Sequence, residues 1–143
     1  MYCTKTDILK HMSETELVKL TAESGTTVDD TIVAEQIEGA DSVIDSYLGK
    51  KYVVPMSPVP ARVKNLSIFI SIYNLHFRRT GKLGSVNEAV RTAYEDAIAF
   101  LRDVAGGKAV IDGAVTPTAN TNTTGGSFKG SGRVFTDESM SGL

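Results

Sequence analysis

The chain of 143 residues holds one cysteine, Cys3, and two histidines, His11 and His76. A lone cysteine forms no internal disulfide, and two isolated histidines supply no Cys/His pairs at zinc spacing, so neither a disulfide framework nor a structural zinc is expected. Long hydrophobic runs are missing too. No segment approaches the ~18 continuous apolar residues of a membrane helix, and the opening "MYCTKTDILKHMSE" carries charges where a signal peptide needs an apolar run. A soluble protein made in a reducing cytoplasm is the expectation. Phosphate-loop and nucleophile motifs also fail. In "RRTGKLGS" a phosphate loop would need glycine at His76 and Ser or Thr at Leu83, and "GSGRVF" puts Phe135 where a dinucleotide loop needs its third glycine. There is no G-x-S-x-G elbow. His76 reads as a core or rim residue, and no catalytic residue, cofactor or metal is expected.

Acids are absent from residues 46 to 87, a stretch that carries seven bases: Lys50, Lys51, Arg62, Lys64, Arg78, Arg79 and Lys82. Residues 1 to 45 reverse the balance, with ten acids, Glu35, Glu38, Asp41 and Asp45 among them, against three bases. The net charge of −2 hides this asymmetry. Three readings follow: surface pairs within one subunit, an acidic and a basic flank that repeat head to tail, or a basic block facing a phosphate backbone. The last would make residues 50–82 a nucleic-acid-binding module.

What is present is a helical pattern. At 41% hydrophobic and 22% charged, the chain has material for one small core plus an appendage. Thr6 before "DILKHM" and Ser13 before "ETELVKL" read as N-caps of two short helices, Ser13 forming a capping-box pattern with Glu16. Asp29 or Asp30 caps a longer helix whose apolar positions are Val33, Ile37, Ala40, Ile44, Tyr47 and Leu48; Gly49 ends it. A stiff connector with Pro55, Pro58 and Pro60 follows, Pro60 suiting the first turn of the next helix. That helix, "ARVKNLSIFISIYNLHFRR", is apolar over most of its circumference, with a narrow polar stripe of Lys64, Ser67, Ser71, Asn74 and Arg78. It should be central. The last helix, "NEAVRTAYEDAIAFLRDVA", presents Val90, Ala93, Tyr94, Ala97, Ile98, Leu101 and Val104 and stops at Gly106–Gly107.

From Lys108 the composition changes. "KAVIDGAV" is a short β-prone run, "TPTANTNTTGGSFKGSG" a Thr/Asn/Gly/Ser-rich spacer, and "RVFTDESM" apolar again. Its anchors, Val110, Ile111, Phe128, Arg133, Val134, Phe135 and Met140, are too few to hold it in place alone, so an arm docking on a second polypeptide is expected. The fold class is therefore all-α: a small helical bundle over residues 1–107 with an extended, partly β C-terminal arm over residues 108–143.

The strings "ADSVIDSYLGKKYVVPMSPVP", "AYEDAIAFLRDVAGGKAVI" and "SGRVFTDESMSGL", with "MYCTKTDI" and "LVKLT", resemble the Mu-type phage neck protein family. The resemblance spans nearly the whole chain apart from the spacer. It implies a non-enzymatic head–tail connector: a dodecameric homo-oligomer ring below the portal, around the DNA channel, assembled in the host cytoplasm and residing in the virion neck. Its implied partners are sister subunits, the portal, other neck or tail-completion proteins and, non-specifically, the genomic DNA; no membrane is involved. Under it, the arm residues above dock on portal or subunit, while Lys50, Lys51, Arg78, Arg79, Lys82, Glu35, Glu38, Asp41 and Asp45 fall at the ring interface or channel rim. Asp137 and Glu138 follow Thr136, so Val134 and Phe135, not a basic surface, are the expected anchors of the final segment.

Overall fold

The computed structural model describes residues 1–80 and 86–117. Five helices account for the regular structure there, and the described residues contain no strand: α1 (Lys5–Ile8), α2 (Glu14–Thr21), α3 (Asp30–Leu48), α4 (Ala61–Thr80) and α5 (Glu88–Ala105). Local chemistry sets their ends. The first cap is Thr4 and not Thr6, because Asp7, three residues on, closes a reciprocal capping box with it. Asp7 N donates to Thr4 Oγ1 at 3.3 Å and Thr4 N donates to Asp7 Oδ2 at 3.1 Å. Ser13 accepts from Glu16 N at 3.2 Å, one half of the box expected there. Asp29 caps α3 through Thr31 N and Ile32 N. Pro60 stands just before α4, its carbonyl accepting from Lys64 N at 3.0 Å. After α5, Gly107 takes a φ of +84°, open to glycine at little cost, and Lys108 N and Gly107 N return to Asp103 O and Val104 O. This is a Schellman closure.

Helices α3 and α4 run antiparallel, since Gln36 meets Asn74 while Asp41 meets Ser67. Helix α4 is central, as its composition implies, packing on α2, α3 and α5. It contributes Val63, Leu66 and Ile70 to one apolar cluster with Ala40, Ile44, Leu48, Ala97, Ile98, Leu101 and Val104. It contributes Ile68, Ile72 and Leu75 to a second, with Ile8, Leu17, Leu20, Val33 and Ile37.

The polar stripe expected on α4 is not a solvent face. Ser67 and Ser71 are fully buried, their partners being Cys3 of the overlying N-terminal segment and, for Ser67, Asp41 of α3. Phe77, near the end of α4, is 45% exposed and stacked on Tyr73, which in turn stacks on Tyr94 of α5 at 3.9 Å.

The expected arm boundary also shifts. Residues 108–117 are neither β nor detached; they fold back on their own bundle. Ile111 is 5% exposed in the first cluster, its N–H donates to Tyr52 Oη at 3.0 Å, and Val53 N donates to Val115 O at 2.9 Å. Ile111, expected to dock on another chain, is thus a core residue of this one. One buried isoleucine and two hydrogen bonds to the connector hold the segment, a contact between residues some 60 apart that composition does not reveal.

Candidate functional site

The most densely bonded region is a polar seam under the N-terminal segment. Asp41 accepts from Tyr2 N at 2.8 Å and from Ser67 Oγ at 2.7 Å, and Cys3 Sγ lies 3.2 Å from the same Ser67 hydroxyl. The Tyr2 hydroxyl donates to Asp45 and accepts from Met56 N at 3.0 Å, tying the segment to α3 and to the proline connector at once. Burial and then the bond to Asp45 push the Tyr2 phenol up to about 12. Burial likewise raises the Cys3 thiol, so it is a poor nucleophile. Nearby, Lys64 Nζ approaches Asp7 at 2.9 Å and Lys10 Nζ at 3.3 Å. The Lys64 ammonium, with the Thr4 bonds and Lys10, holds the Asp7 carboxyl well below the ordinary carboxylate range despite its covering. No buried side-chain polar atom among the described residues lacks a partner. The seam works as a clamp on the fold.

Two of the four expected interface acids are spent on this clamp: Asp41 and Asp45. Glu35 and Glu38 remain exposed on α3. The bases divide as well. The antiparallel pairing puts Lys50 and Lys51 at one end of the bundle and Arg78 and Arg79 at the other, separated by roughly the ~30 Å length of α4. Contiguity in sequence does not become one patch, because that separation exceeds a Debye length of ~8 Å. Lys51 lies at the end of α5, where a β-carbon added to Gly107 would stand 3.1 Å from its Nζ. Arg78 pairs with Glu23 at 3.2 Å. Lys50 and Arg79 are exposed, and Lys82 lies outside the described residues.

Of the expected arm contacts, Val110 is 71% exposed and Ile111 is buried. Phe128, Arg133, Val134, Phe135 and Met140 lie outside the described residues. Two residues that the sequence pattern did not single out share an apolar rim: Val53 of the connector, 48% exposed, and Val115, 56% exposed. Both line one groove with Pro55, Met56, Ser57 and Pro58. A valine before a proline-rich turn was the available signal, but nothing local tells that Val115 joins it. Beyond this groove, Arg62 lies over the Phe100 ring at 4.3 Å, joining α4 to α5 through a cation–π contact.

Comparison with known proteins agrees with the resemblance. A curated relative, the Mu-like prophage FluMu protein gp36 of Haemophilus influenzae, is 38% identical over 81 residues, covering 57% of this chain and 53% of the relative. The match spans about half the length of that protein. The family described as "Bacteriophage Mu, Gp36" matches residues 2–129, most of the 143-residue chain. The chain belongs to that Mu-type phage protein family.

Proposed function

We propose that this phage protein is a structural, non-catalytic subunit of a head–tail connector. In this reading it forms a dodecameric ring below the portal, around the DNA channel in the virion neck. The residues beyond Pro117 serve as an arm to a neighbouring subunit, the portal or the next neck protein. The observation that carries the reading is the way the chain leaves the bundle. Val115 is fastened to the connector by backbone, its side chain is exposed beside Val53, and the sequence beyond it holds its next large apolar pair at Val134 and Phe135. Exposed Glu35 and Glu38 on α3, with Lys50 at one pole and Arg79 at the other, offer opposite charges that can set register between copies. The competing nucleic-acid module rested on one basic block, and the helix pairing divides that block between two poles.

The test compares the full chain with a truncation after Pro117 and with Phe135→Ala, by negative-stain imaging alone and with portal. Rings or portal complexes are expected for the full chain, and folded subunits that fail to join are expected for both variants. A truncated subunit that joins as well as the full chain refutes the arm. Titration with duplex DNA at low and high salt checks the competing reading, since a dedicated binder shows a steep salt slope.

A further inference from the structure

The groove walled by Val53, Pro55, Met56, Ser57, Pro58 and Val115 has a volume near 250 Å³. That is below the range of small-molecule sites and suits one or two side chains. Five of its six lining residues are apolar, and both rim valines are exposed. The chain leaves this groove at Val115, and 26 residues follow Pro117. Among them Val134 and Phe135 are the one adjacent pair of large apolar residues. Alternation along an extended segment lets one of the two enter a groove while the other rests on the rim.

We propose that in the free subunit this groove is filled by the chain's own Val134–Phe135 segment, so that the arm is parked in cis until assembly offers it a better site. The spacer length allows the return. Residues 118–132 number 15, and a Gly/Ser-type chain of that length has a root-mean-square span of about 21 Å. Such a tether presents its end at a local concentration of roughly 1 mM, about a thousandfold above subunits free at micromolar levels. The chain's own segment therefore outcompetes that of any second copy in dilute solution, and parking it restrains premature self-association. This inference rests on the arm reading and adds its regulation.

The chain has no tryptophan, so Phe135→Trp in the full-length protein is a sole reporter. At low micromolar concentration its emission should be blue-shifted and its quenching by acrylamide reduced severalfold. Val53→Asp or Val115→Asp in that background should restore the emission and quenching of exposed indole while the helical circular dichroism is unchanged. Identical quenching with and without the groove substitutions overturns the proposal. So does protection that rises with protein concentration, which would place the segment on a second copy. Neither result touches the arm itself, which fails only if the truncation after Pro117 still joins.

Discussion

Replacing Ile111 by alanine tests whether the residues after α5 belong to the fold. The side chain is 5% exposed within the larger apolar cluster, alongside Tyr52, Leu101 and Val104. Deleting three buried carbons of an isoleucine costs about 2–5 kcal/mol. The lower part of that range applies, because the segment lies at the edge of the bundle and can settle into the space, which gives ~2–3 kcal/mol. For a fold of this size that lowers Tm by about 8–12 °C. Urea titration followed by circular dichroism should show the midpoint falling with an unchanged slope, since the surface exposed on unfolding hardly changes. Val110→Ala, one residue earlier and mostly exposed, should stay within about 0.5 kcal/mol of the parent. The same logic makes truncation after Gly107 destabilising, as it strips Tyr52 Oη and Val53 N of their partners, and truncation after Pro117 nearly neutral. Equal stabilities for Ile111→Ala and Val110→Ala would refute the fold-back and return residues 108–117 to the arm.

Tyr2→Phe leaves Met56 N–H without its acceptor and should cost about 1–3 kcal/mol at neutral pH, read from urea midpoints. Because the folded phenol titrates at about 12 against an ordinary 10.0, its contribution is complete below pH 10 and disappears as pH rises toward the folded value, so parent and variant should converge there. Asp7 behaves oppositely. Its folded carboxyl lies below its ordinary 3.8, so its contribution is present above that value and disappears as pH falls through the folded one. Asp7→Asn should cost about 1–2 kcal/mol at pH 7, discounted because both lysines are partly solvated, with the gap narrowing in acid.

The helices were legible because each rests on neighbours in sequence. The three- and four-residue recurrence of Val33, Ile37, Ala40, Ile44 and Leu48 marks α3, Asp29 starts it, and the Gly106–Gly107 pair closes α5. What escaped depends on residues far apart in the chain. Ser67 and Ser71 read only as part of a narrow polar stripe, since nothing local shows that Cys3 and Asp41 would come to meet them. Thr6 reads as the first cap by its place before "DILKHM", whereas the decisive signal is Asp7, three residues after Thr4. Ile111 was assigned to an arm on composition, which carries no trace of the Tyr52 hydroxyl that receives its amide. The candidate site suffered most: a run of bases contiguous in sequence was divided by the antiparallel turn between α3 and α4, and the groove at Val53 exists only once Val115 returns to it.

Helix α4 sends side chains into both apolar clusters, and this decides how the subunit bears a load. Along that helix the stretch Val63–Ile70 enters one cluster and Ile68–Leu75 the other, the two overlapping only at Ile68–Ile70. A load between the Lys50 and Arg79 poles would pass through that shared stretch, which couples the two clusters in series.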